Sequence, residues 1–211
     1  MRACADPRRR YAAVERGVPA IAFQAGNSTE RSYQSIQATT KSGCPDPATI
    51  VAQLSVGFVQ QLISKSNKKD PLLPFGYGIN VKYPTITSLN DDSCVKPFFI
   101  QSRFTGGAQI AQAVFNEYSK LFTWGPTTSP GLNSCINGDC NLPGEQAVIL
   151  SGCYSSVSVF TVDYDAPNCR GAKNIRPLLE PLVKYQHLPR AQSDASILPA
   201  SSVDPEIQFS G

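Results

Sequence analysis

Histidine is almost missing from this 211-residue chain: His187 stands alone beside 19 Lys and Arg and 16 Asp and Glu. A Ser-His or Cys-His nucleophilic pair needs an imidazole within hydrogen-bond reach of its nucleophile. One histidine in a weakly patterned C-terminal stretch speaks against such chemistry. G-x-G-x-x-G and G-x-x-x-x-G-K-[ST] are also missing, which removes the two common Gly-rich phosphate cradles. Thr105-Gly106-Gly107 is too short for one and reads as a strand-ending turn. No C-x-x-C occurs, and without it a structural zinc lacks its ligand spacing. There is no apolar run long enough to span a membrane. Residues 1–10 carry charge but no apolar stretch, so they do not read as a signal peptide. Basic charge is equally thin. The net charge of +3 is matched by Arg2, Arg8, Arg9 and Arg10 against Asp6, and the other 201 residues sum to zero. A nucleic-acid surface spreads Lys and Arg over a folded face, so neither nucleic acid nor membrane is expected as a partner.

What the chain does have is apolar content, 41% against 17% charged residues, and seven cysteines. The first suits a domain with a real core. The second points to an oxidising compartment, where disulfides persist, and so to an extracellular or secreted protein. Cys135-Ile-Asn-Gly-Asp-Cys140 is short and turn-rich, which makes Cys135 and Cys140 the candidates for a local bridge. The odd count leaves at least one thiol unpaired or shared between chains. Asn27-Ser28-Thr29 is a glycosylation sequon, with Asn27 as acceptor in a secreted protein. Cysteine usage and the N-terminus thus disagree, and the reading expects that the chain starts in the wrong place.

Periodicity predicts an α/β organisation. Tyr11–Arg16 reads as the end of a helix stopped by Gly17, and the run from Gly17 to Phe23 as a strand buried on both faces. The two make half of a βαβ unit, whose first strand is expected upstream. Asp46-Pro47 opens a helix, Asp as N-cap and Pro at the first helical position. Ile50, Leu54, Phe58 and Leu62 give that helix one apolar stripe. From Leu72 onward strands are predicted at 78–83, 98–104, 114–123 and 157–164, separated by turn residues. Asn133–Gly144 is a dense turn. Leu178, Leu179, Leu182 and Val183 suggest a short helix limited by Pro177 and Pro181, and residues 190–211 read as disordered.

Two acidic groups invite a functional reading. Asn90-Asp91-Asp92-Ser93 offers oxygen ligands for a hard cation, but it lies between strands, where Asn and Asp are ordinary turn formers. Asp163 and Asp165 flank Tyr164 at a strand end, where α/β folds place ligand groups; a solvated strand end is the competing reading.

Six strings resemble one family: YAAVERGVPAIAFQAGNSTERSY (11–33), PDPATIVAQL (45–54), LLPFGYGINVKYPTITSLNDDSC (72–94), QSRFTGGA (101–108), NSCINGDCNLPGE (133–145) and SGCYSSVSVFTVDYDAP (151–167). They are similar to the fungal, secreted-type members of the SurE-like (survival protein E) phosphatase and nucleotidase family. The resemblance implies a Rossmann-like α/β core with a β-rich extension. It also implies metal-dependent hydrolysis of phosphate monoesters, nucleotides or others, with Mg or Mn as cofactor. The family's metal centre uses an Asp-Asp pair after the first strand, in an Asn-Asp-Asp-Gly setting, with a Ser and an Asn from later loops. All precede the helix that here begins near Tyr11, so no catalytic, cofactor or metal residue carries over. Asn90-Asp91-Asp92 imitates the pair, but Ser93 stands in place of Gly and the string matches a later part of the family. Ala147 stands where the family often has Asp.

The expected division is therefore a non-family stretch at 1–10, the later part of a SurE-like domain at 11–170, and a weakly structured tail at 171–211. Such a core lacks its N-terminal strands, through a mis-assigned start or a genuine truncation. The chain by itself is then expected to bind no metal and to be inactive. The alternative is a non-catalytic remnant that serves as a binding or oligomerisation module, with a homo-oligomer as its partner state.

Overall fold

The computed structural model describes residues 12–27, 29–66, 70–104, 111–126, 139, 141–162, 164–165 and 170–185. Cys135, Cys140, Thr105-Gly106-Gly107, Asp163, His187 and the expected disordered stretch at 190–211 lie outside the described residues.

Residues 12–15 are helical. Gly17 then takes a φ of 72°, and the amides of Gly17 and Val18 donate to the carbonyls of Val14 and Ala13 at 3.0 and 2.9 Å. This is the left-handed stop that only glycine adopts without strain. Strand β1 (Ala20–Gln24) follows. It is less enclosed than its apolar run predicts: Ala22 is buried, while Ile21 and Phe23 are half-buried. The physical reason is its position, because among the described residues β1 pairs only with β2.

Helix α1 (Pro47–Lys65) forms as the sequence predicts. The Asp46 carboxylate accepts the Ala48 amide at 2.9 Å and the Gln37 amide at 3.2 Å, and it also pairs with Arg31. One buried carboxylate thus caps the helix and ties the 31–37 loop to its start. Strands β2 (Gly78–Lys82) and β3 (Phe98–Arg103) match the predicted runs. The predicted strand over 114–123 is instead a hairpin, β4 (Ala111–Asn116) and β5 (Leu121–Pro126). Asn116 Oδ1 accepts the amides of Tyr118 and Ser119, and Lys120 adopts a φ of 56°, so the chain reverses without a glycine.

Helix α2 (Glu145–Leu150), which periodicity does not reveal, leads into the long β6 (Tyr154–Thr161) and the short β7 (Tyr164–Asp165). Of the stretch expected to be weakly structured, 171–211, the described residues reach 185. Helix α3 (Arg170–Leu179) and strand β8 (Val183–Lys184) bury Ile175, Leu179 and Val183 in the main core. The two prolines thin the pattern there, but those three apolar side chains are enough to anchor it.

The main sheet runs β1-β2-β6-β3-β8, with β7 beside β6. Pairs β1–β2, β3–β6 and β3–β8 are parallel, whereas β2–β6 is antiparallel. The sheet is therefore mostly parallel, and with helices on it the chain is an α/β protein of the kind expected. Its two faces differ in chemistry, since side chains alternate along each strand. On one face Ile79, Val81, Phe99, Val157, Val159 and Val183 pack with Phe58 and Leu62 of α1 and Ile175 and Leu179 of α3. On the other, Asn80, Ser158 and Ser102 stand in one row across β2, β6 and β3. Beside that row Phe160 packs with Val14 and Phe104 in a second, small core. Gly78 makes this possible: a Cβ there would sit 2.4 Å from the Phe160 ring and 2.9 Å from Val14.

One disulfide joins the described residues. Cys94 and Cys153, with Cα atoms 5.3 Å apart, tie the 84–97 loop to the start of β6. Cys44 is a free, half-buried thiol.

Candidate functional site

The polar face of the sheet is where buried hydrogen-bonding chemistry collects. Asn80 Nδ2 donates to Glu145 Oε1 at 2.6 Å, and both residues are buried. Ser102 and Ser158 share a 2.7 Å hydroxyl bond in the same row. Arg103, at the end of β3, is buried as well; its Nε donates to the Leu142 carbonyl and its amide to the Pro143 carbonyl. The Ser156 hydroxyl, two residues along β6, is buried with no hydrogen-bond partner. Burying polar groups costs free energy unless they are paired, so this row is a feature of the fold that needs its partners. Three constraints position it. Strand register puts Asn80, Ser158 and Ser102 side by side. The bridge between Arg103 and Gly144 brings in the 141–144 turn. Glu145 then stands in the first turn of α2, where a carboxylate is favoured by the helix dipole.

Sequence reasoning did not single out these residues. The available signal was a polar side chain inside otherwise apolar strands, Asn80 in GINVK and Ser102 in FFIQSR. The row can bind and align polar groups. Among the described residues its carboxylate is Glu145, which accepts the Asn80 amide.

The acidic groups flagged in the sequence fall elsewhere. Asp91 closes its own turn, accepting the Ser93 amide at 2.8 Å. Its carboxyl is held below the ordinary value by the hydroxyl and amide of Ser93 and by the Thr87 hydroxyl. Asp92 is exposed beside it. One carboxylate spent on a turn and one loose neighbour do not make the ligand set a divalent cation needs. Among the described residues no group of three or more His, Cys, Asp or Glu could hold a metal ion. The described residues thus offer no ligand set for a divalent cation. Likewise, among the described residues no helix is long and apolar enough to cross a membrane.

Asn27, the sequon residue, is half-buried and bonded at both ends of its amide. Nδ2 donates to the Ile86 carbonyl and Oδ1 accepts the Ile86 amide, each at 3.0 Å. It pins the chain after β1 to the chain after β2, where Gly26 passes so close that a Cβ would lie 2.4 Å from the Pro84 backbone. An open groove of about 490 Å³ runs along the outer side of α1, between Ile36, Ala52, Val56 and Gln60. It is lined by small, apolar and amide side chains and offers no titratable group.

No protein-family model matches the chain. The chain is 37% identical over 166 residues, 77% of its length, to a protein of Yarrowia lipolytica (strain CLIB 122 / E 150) named acid phosphatase. Those residues make up 45% of the relative, so the chain spans about half the length of the curated protein it matches.

Proposed function

We propose that this chain forms the later, scaffold part of a SurE-like phosphatase or nucleotidase domain. The whole protein hydrolyses phosphate monoesters, nucleoside monophosphates among them, with a divalent metal such as Mg or Mn. The observation that carries the reading is the similarity to an acid phosphatase over most of the chain, together with the six family-like strings of the sequence. The metal ligands are assigned outside the described residues, because the described acidic side chains do not form a cation site. A secreted location fits the Cys94–Cys153 bridge, since disulfides form and persist in oxidising compartments.

A metal bound in such a domain would supply Lewis-acid stabilisation of the phosphoryl charge. What the described residues contribute is placement. The Asn80–Glu145 and Ser102–Ser158 bonds lock β2, β6, β3 and α2 together, and the Asn27–Ile86 bonds fix the loops that leave β1 and β2.

Phosphate release from p-nitrophenyl phosphate and AMP, with Mn or Mg and with EDTA, tests the reading on the 211-residue chain and on the full product of its gene. The full product should release phosphate in a chelator-sensitive way and the chain alone should not. An inactive full product overturns the phosphatase reading; chelator-sensitive turnover by the chain overturns the assignment of the ligands.

A further inference from the structure

Asn27 heads the one Asn-X-Ser/Thr sequence of the chain, and such a sequence is an acceptor for an N-linked glycan. Its side chain is already engaged. Nδ2 donates to the Ile86 carbonyl and Oδ1 accepts the Ile86 amide, each at 3.0 Å. These partners fix which end of the side-chain amide is which, because a donor must face the carbonyl and an acceptor the N–H. They also fix which of the two Nδ2 protons is used. In a planar amide only the N–H on the oxygen's side runs parallel to an oxygen lone pair, so a single backbone residue meets both groups along that edge alone.

A glycan needs the same place. The secondary amide it makes prefers the trans arrangement, which sets the sugar carbon opposite Cβ and beside Oδ1. That is where the Ile86 carbonyl lies. Attachment on the other side would need a cis secondary amide, populated on the order of one part in a hundred. The backbone leaves no slack. The Tyr83 amide donates to the Gln24 carbonyl at 2.8 Å, and a Cβ on Gly26 would lie 2.4 Å from the Pro84 carbonyl carbon. The two segments are thus in contact on the approach to Asn27.

We propose that Asn27 is a sequon gated by folding: it accepts a glycan only while the loop after β1 is apart from the loop after β2, and the glycan and the Asn27–Ile86 clip exclude each other. Ile86 follows Asn27 by 59 residues. Synthesis at about 5–20 residues per second therefore leaves the sequon open for roughly 3–12 s before its partner is made. The transfer balances as a substitution at the first sugar carbon. A bond from Nδ2 to that carbon forms, and the carbon–oxygen bond to a lipid-linked pyrophosphate breaks. The pyrophosphate departs with the electron pair, and Nδ2 gives up the proton that the Ile86 carbonyl would otherwise receive.

From the secreted location proposed above the inference borrows only the presence of such a donor, which the test supplies directly. Oligosaccharyltransferase and a lipid-linked oligosaccharide are given to the folded 211-residue chain and, separately, to its complete tryptic digest, which frees residues 17–31 between Arg16 and Arg31. The digest should be glycosylated at Asn27, and the folded chain at least tenfold more slowly. Asn27→Asp, which turns an oxygen toward the Ile86 carbonyl, should lower the melting temperature by about 4–8 °C at pH 7. Thr29 is exposed, and Thr29→Ala, which removes the sequon and keeps the clip, should melt as wild type. A folded chain glycosylated as fast as its digest, or a digest that accepts no glycan, overturns the proposal. So does an Asn27→Asp variant that melts as wild type, or a Thr29→Ala variant that loses as much as Asn27→Asp.

Discussion

Asp46→Ala removes the one carboxylate that serves a helix start, a loop and an arginine at once. The cap bond to the Ala48 amide is lost, and such a loss costs about 1 kcal/mol. The Gln37 amide loses its acceptor, worth roughly another 1 kcal/mol when the group is shielded from water. Arg31 loses its partner. Breaking a fully buried pair costs about 3–5 kcal/mol, but the Arg31 side chain is 29% exposed, so its share is set well below that range, at about 1 kcal/mol. The three bonds share one carboxylate and are not independent, so the total expected is about 3 kcal/mol. For a folded body of this size that is a fall of roughly 6–12 °C in melting temperature. Asp46→Asn keeps an oxygen for the cap and loses the charge, and should cost only about 1 kcal/mol. Urea titration at pH 7 separates the two variants by their midpoints, with the slope unchanged. The pH dependence adds an independent check. Burial acts to raise the Asp46 carboxyl, but the Arg31 bond and the Ala48 and Gln37 amides outweigh it and hold the group below its ordinary value. The unfolded chain therefore takes up the proton first as pH falls. Asp46 contributes its full stability above the unfolded value of roughly 4 and loses it as pH drops toward the lower folded value. The gap between wild type and Asp46→Asn should be constant at neutral pH and close below about pH 4. If Asp46→Ala costs less than about 1 kcal/mol, or no more than Asp46→Asn, the carboxylate is not the joint between loop and helix described above.

Replacing Cys94 and Cys153 together by serine should lower stability by about 2–4 kcal/mol, near the chain-entropy value for residues 59 apart; a melt that dithiothreitol leaves unchanged in the wild type would contradict this. Gly78→Ala should cost about 1–3 kcal/mol, because its methyl group meets the Phe160 ring and Val14. Adding Phe160→Leu should return part of that loss, and a Gly78→Ala melt identical to wild type would mean the second core is not closed there. Spectrophotometric titration should find Tyr83 and Tyr185 ionising late. Tyr83 is pushed up to about 12 by burial, against a weaker opposing bond to Ser55. Tyr185 reaches about 12 through burial and its bond to Asp139. Both are protonated longer in the folded chain, so the stability they confer is whole below about pH 10 and declines as pH rises toward 12. Eight tyrosines titrating together near pH 10 would contradict both assignments.

The sheet was legible wherever one period dominated. Asp46-Pro47 and the four-residue recurrence of Ile50, Leu54, Phe58 and Leu62 carry cap, first turn and buried stripe in sequence order. GINVK and FFIQSR give their strands within a residue. The hairpin was not legible, because its turn at 117–120 contains Tyr118 and reverses at Lys120 rather than at glycine. It reads as continuous strand. The Cys94–Cys153 bridge could not be read, since pairing depends on which loops the sheet brings together and spacing favours the nearest cysteines. Nor was the buried row. Asn80, Ser102 and Ser158 look like solvent-facing positions of a two-residue alternation, and the placement of α2 with Glu145 and of Val14 and Phe104 beside Phe160 helps make that second face an interior.

The strand order also sets a timetable. Strand β6 lies between β2 and β3 in the sheet but follows both in the chain. Synthesis at about 5–20 residues per second separates the end of β3 from the end of β6 by roughly 3–12 s. Until β6 emerges, β2 has only β1 beside it and β3 has no partner, with apolar faces and hydrogen-bonding edges exposed. Over the same interval Cys94 waits for Cys153 while the earlier thiol of Cys44 is already in solution. The central strand thus leaves open sheet edges and an unbridged Cys94 on the growing chain until β6 has been made.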